Sequence, residues 1–74
     1  MSRLPVVSGE KLCKILEKRG YFVDHQTGSH IVLRNADPPF RRLTVPNHKE
    51  IARGTLRAIL HQAGLSIEEF RELL

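Results

Sequence analysis

Hydrophobic and polar positions change period twice along the chain. Leu12, Ile15 and Leu16 recur at i, i+3 and i+4, a helical stripe that Ser8 can cap and Gly20 can stop, which predicts a helix over Gly9–Arg19. From Tyr21 the period shortens to two. Tyr21–Thr27 opens with aromatic and β-branched residues and reads as a strand. His30–Asn35 alternates, with Ile31 and Leu33 on one face and His30, Val32 and Arg34 on the other. Phe40–Val45 repeats the pattern, setting Leu43 and Val45 against Arg42 and Thr44. Helical spacing then returns in Leu56, Ile59, Leu60 and Ala63, a helix opened by Gly54-Thr55 and stopped by Gly64. Ser66-Ile67-Glu68-Glu69 is a capping box for a last helix over Ile67–Leu74, with Ile67, Phe70 and Leu74 inward.

The connections decide how these pieces meet. Gly28-Ser29 leaves two residues between the first two strands, a hairpin loop in which glycine supplies the positive φ of a type II′ turn. Asn35-Ala36-Asp37-Pro38-Pro39 reads as a loop, because prolines cannot donate to a central ladder. Pro46-Asn47-His48 ends the third strand, and Lys49–Ala52 reads as a single turn. The order α-β-β-β-α-α with short antiparallel strands predicts an α+β fold, a two-layer sandwich forming one domain over residues 1–74. If Ile31 and Leu33 face the helices, His30 and Arg34 become neighbours on the open face. Arg42 has the parity to join them, although periodicity leaves the register between strands undetermined.

Charge sharpens that picture. The net charge is +4, and Arg34–Arg57 holds six basic residues (Arg34, Arg41, Arg42, Lys49, Arg53, Arg57) against Asp37 and Glu50. The rest of the chain has six basic and six acidic residues and balances, so the whole excess belongs to one segment. A localised excess fits a polyanionic partner, although a solvated basic surface is the plain alternative. The single cysteine, Cys13, excludes an intramolecular disulfide and reads as a small core residue. No apolar run approaches the ~20 residues of a membrane span. Met1–Val7 is too short for a signal peptide, and the expected location is the cytoplasm.

RNA can be cut without a metal, since its 2′-hydroxyl can attack the adjacent phosphorus. The protein must then supply a base, an acid and positive charge. Histidine serves the first two roles and arginine or lysine the third. The chain offers His30 beside Arg34, and His48 beside Lys49. His25, His30, His48 and His61 have no metal-ligand spacing, and glycine-rich phosphate loops are absent, so neither metal nor cofactor is expected. Each histidine also has a plainer role: His25 and His61 as polar surface residues, His48 as a turn residue bonding the main chain, and His30 as a half-exposed strand residue.

Gly28-Ser29-His30 opening a strand resembles the signature of the HicA toxin family, the YcfA-like proteins. Val45-Pro46-Asn47-His48, Gly54-Thr55-Leu56-Arg57-Ala58-Ile59-Leu60, Ala63-Gly64-Leu65-Ser66 and Glu69-Phe70 continue the likeness from about Ser8 to Leu74. The resemblance implies a fold like the double-stranded-RNA-binding domain and a metal-independent ribonuclease that cuts mRNA and arrests translation. It implies that His30 is catalytic and that a HicB-type antitoxin covers the site. His48 carries over as a contact only. Arg34, Arg42, Lys49, Arg53 and Arg57 are the candidates for the RNA backbone. Two other classes stay open: a non-catalytic RNA-binding module on this fold, and an interaction protein whose basic face docks an acidic partner.

Overall fold

The computed structural model describes residues 4–74; Met1, Ser2 and Arg3, the start of the segment read as too short for a leader, lie outside the described residues. Its elements are α1 (Gly9–Glu17), β1 (Tyr21–Thr27), β2 (His30–Asn35), β3 (Arg42–Pro46), α2 (Arg53–Ala63) and α3 (Ile67–Leu73). The strands form one antiparallel sheet in the order β1-β2-β3. The helices cover one of its faces, as the α+β two-layer reading anticipates.

Local chemistry sets most boundaries. The Ser8 hydroxyl accepts from the Lys11 amide at 3.1 Å and starts α1. At α3, Ser66 Oγ accepts from the Glu69 amide and Glu69 Oε1 accepts from the Ser66 amide, both at 3.0 Å, so the reciprocal box forms. Gly28 has φ 57 while Ser29 is not among the positive-φ residues. That is the type II′ pattern, since a type I′ turn needs positive φ at both central positions.

Several boundaries differ from the sequence reading. α1 ends at Glu17, two residues before Arg19. β3 begins at Arg42, because Pro38 and Pro39 lack donors and Phe40 takes φ 59, outside any strand. Phe40 is exposed as a result. β3 runs on to Pro46, the partner of His30. Lys49–Ala52 forms no helical turn: Lys49-Glu50 is a bend, Ile51-Ala52 is irregular, and α2 opens at Arg53. At the end of the chain Leu73, not Leu74, packs inward.

The core is one cluster. Leu12, Ile15 and Leu16 of α1, Leu56, Ile59 and Leu60 of α2 and Phe70 of α3 meet Ile31, Leu33, Leu43 and Val45 of the sheet. Leu4, Val7, Ile51 and Leu65, which no periodic stripe marks, close its edges. Val32 is the exception to the two-face scheme. It lies outside this cluster, on the face away from the helices, yet is only 5% exposed.

The close approach of α1 to the end of β3 is specific to glycine. A Cβ on Gly9 would overlap the Pro46 carbonyl oxygen and lie 3.0 Å from Asn47 Cα. Gly9→Ala should therefore lower stability by about 1–3 kcal/mol, the usual cost of overpacking, read as a lower urea midpoint with an unchanged slope. Burial pushes the Cys13 thiol up to about 11, with Glu17 and Glu10 adding to the effect. Thiolate is then scarce at neutral pH, so native protein should resist iodoacetamide and become alkylated rapidly only after unfolding.

Candidate functional site

The register assembles the open sheet face in three rows. Thr27, His30 and Pro46 are opposite one another, then His25, Val32 and Thr44, then Phe22, Arg34 and Arg42. Residues directly opposite in an antiparallel pair share a face. His30, Arg34 and Arg42 thus lie together on the face that the helices leave free, and all three are exposed. Within the described residues, the His30 ring has no hydrogen-bond partner.

His30 closes the Gly28-Ser29 turn as the partner of Thr27. Its other neighbour is Pro46, and the next residue, Asn47, donates its amide to the Ser29 carbonyl at 2.6 Å. The Gly9 amide in turn donates to the His48 carbonyl at 2.9 Å. The main chain of His48 is therefore tied to the start of α1, while its side chain is exposed and makes no hydrogen bond among the described residues. With Lys49, Asn47, Ser8 and Glu10 it lines a shallow cleft beside that helix end.

The basic segment is divided by the fold. Arg34 and Arg42 are on the open face. Arg53 and Arg57 are one turn apart on the exposed side of α2, in the helix layer. α2 runs antiparallel to β3, and Arg41 near the start of β3 donates to the Gln62 carbonyl at 3.5 Å near the end of α2. Arg53 therefore begins at the end of the molecule where β3 stops and His30 sits. The fold does not bring Arg53 or Arg57 onto the sheet face itself.

Two further residues join the site. β1 has a bulge between Val23 and His25 that leaves Asp24 unpaired. Simple alternation from Tyr21 and Val23 places His25 under the helices, whereas the extra residue turns it to the open face opposite Val32. Asp24 Oδ2 lies 2.7 Å from His25 Nδ1 and 3.4 Å from Arg34 Nε. A carboxylate accepts only, so Nδ1 carries the ring proton and Nε2 is left without a protein partner among the described residues. Phe22, 44% exposed, lies opposite Arg34. A period of two carries no mark of a bulge, although Asp-His within a strand is a detectable pair of hydrogen-bonding types.

Arg34 and Arg42 are direct cross-strand partners, and like charges so placed repel. Asp24 offsets Arg34, while Arg42 has no acidic partner among the described residues. An anion lying across the pair relieves this repulsion. Among the described residues no group of three or more His, Cys, Asp or Glu is placed to hold a metal. No described helix is long and apolar enough to cross a membrane.

A small basic α+β domain with an uncovered, histidine-bearing sheet face is the class that fold and site define. The family model described as the HicA toxin of bacterial toxin–antitoxin systems matches residues 9–65, and the chain belongs to that family. No curated protein matches it. Membership makes this chain the toxin side of such a system, with an antitoxin as its counterpart.

The hydrogen bond from His25, with the Arg34 charge adding to it, holds the Asp24 carboxyl below the ordinary aspartate range against a smaller desolvation. A carboxyl lowered in the folded state contributes stability above the unfolded pKa and loses it as pH falls through the folded one. The stability difference between the protein and Asp24→Asn should thus be constant near neutrality and vanish at acid pH, which paired urea titrations across that range would measure.

Proposed function

We propose that this toxin is a metal-independent endoribonuclease that cleaves mRNA, with His30 moving a proton in the cleavage step. The observation that supports this best is the Arg34–Arg42 pair, set directly across two strands on the same face as His30. Two guanidinium groups on the same face as an uncovered imidazole, two rows along the strands from it and carried on long side chains, suit a phosphodiester, whose negative charge grows as the 2′-hydroxyl attacks. Arginine can hold the phosphate through two N–H groups at once. Phe22 adds an aromatic face for an unpaired base beside Arg34. His48, Lys49 and Arg53 extend the positive surface past the His30 end of the sheet, Arg57 continues it along the exposed side of α2, and all four serve as backbone contacts.

The antitoxin, of HicB type, inhibits by laying acidic groups over Arg34, Arg42 and the Lys49–Arg57 stretch and so covering His30. Opposite charge speeds such an encounter, and apolar burial sets its lifetime.

His30→Ala should lose at least about 10²-fold in cleavage rate, the usual scale for general acid–base catalysis. Its stability should change by no more than about 0.5 kcal/mol, as for other exposed positions away from caps and cores. Cleavage should persist in excess EDTA and fail where the 2′-hydroxyl at the cut site is replaced by hydrogen. Full activity in His30→Ala, or loss on chelation with recovery on adding a divalent ion, sinks the mechanism. RNA binding without any cleavage by the wild type identifies a binding module instead. Neutralising Arg34 or Arg42 should flatten the salt dependence of RNA affinity, whereas Arg71, outside the basic segment, should not matter beyond its charge.

A further inference from the structure

We propose that His25, held by Asp24, is the proton donor to the leaving oxygen, and that it works opposite His30 across one phosphate. This rests on the ribonuclease reading above and supplies the partner that reading lacks.

The geometry comes from the register. His25 is opposite Val32, and His30 lies two residues before Val32 on the same strand, so the two histidines are diagonal neighbours on one face. Diagonal neighbours in an antiparallel pair are about 7–8 Å apart, room for one phosphate between two rings that each make a hydrogen bond of roughly 2.7–3.2 Å. Arg34 is diagonal to His25 on the side away from His30, and Arg42 is opposite Arg34, so their long side chains reach toward the non-bridging oxygens from the His25 end of the pair.

The hydrogen bonds distinguish the two rings. His25 Nδ1 is bound to a carboxylate, which fixes the ring and directs Nε2 away from Asp24. When the ring takes a second proton it forms an ion pair with Asp24. His30 has no such partner among the described residues and acts as the base. The charged and titratable groups sharing the face with His25 are Asp24 on its own strand, His30 and Arg34 on β2, and Arg42 on β3. All three helices pack on the opposite side. Asp24 is the only acid among these groups, and it contacts both His25 and Arg34.

In the step, the 2′-hydroxyl gives its proton to neutral His30 as its oxygen forms a bond to phosphorus. The bond from phosphorus to the 5′-oxygen breaks, and that oxygen takes a proton from the His25 imidazolium. The products are a 2′,3′-cyclic phosphate and a 5′-hydroxyl. The pair of rings keeps its total charge, and exchange with water restores the starting protonation.

The test uses two substrates cut at the same mapped site, ordinary RNA and RNA with a bridging 5′-sulfur. A thiolate leaves without a proton. His25→Ala should cut ordinary RNA at least about 10²-fold more slowly, yet cut the sulfur substrate near the wild-type rate. Asp24→Asn should show the same selectivity with a smaller loss. His30→Ala should be slow on both substrates. The fall of kcat/KM at high pH should be present in the wild type and absent in His25→Ala. Wild-type rates in His25→Ala on ordinary RNA overturn the proposal, as does an equal loss on both substrates, which marks a structural or binding role. If His30→Ala remains fully active, the ribonuclease reading of the site fails first.

Discussion

A three-stranded sheet has two faces, and the helices of this chain cover one of them. The apolar contact between Ile31, Leu33, Leu43 and Val45 and the three helices is the interaction on which the rest depends. Truncating a buried leucine in such a cluster costs about 2–5 kcal/mol, a large share of what a small domain has in reserve. Because this side is committed to the core, side chains of opposite parity must meet solvent or a partner. The open face and its chemistry are thus consequences of how the core is built, since the same alternation that buries Leu33 exposes Arg34.

The site is also held by its ends. The two-residue turn fixes the strand on which His30 begins. The Asn47 amide and the Gly9 approach then tie the turn, the end of β3 and the start of α1 together. His30 lies within this knot of main-chain bonds, while its exposed ring makes no hydrogen bond among the described residues. Arg34 and Arg42 are farther down the same strands, where regular pairing holds their backbones rigidly. Their mutual repulsion persists because the sheet leaves their main chains no other register without turning core residues outward.

Much of this was legible in the residues. Ile31 and Leu33 announce their face, Gly28-Ser29 its turn, and Ser66 with Glu69 a capping box, because each depends on residues close in sequence. The parity of Arg42 was legible too, while its pairing with Arg34 had to wait for the register. The bulge at Asp24 was not legible. One extra residue in a strand changes no composition and breaks no rule, yet it reverses the facing of everything before it relative to everything after, and His25 changes sides. The late start of β3 depends on the positive φ of Phe40, and no β-branched or polar pattern anticipates that. Ile51 and Leu65 enter the core from irregular segments, where no period exists to mark them. The choice of Leu73 over Leu74 turns on helical phase alone.

Val32 has a consequence for electrostatics. It is an aliphatic side chain almost shut off from water at the centre of a polar face, ringed by His25, Thr44, His30 and Arg34. Those residues stand on a hydrocarbon floor, not on a hydrated surface. Charges above such a floor are less screened from below, so that the attraction of the arginines for any anion falls off more slowly than over open water. An aliphatic residue with no charge of its own thereby lowers the screening under the charged ones.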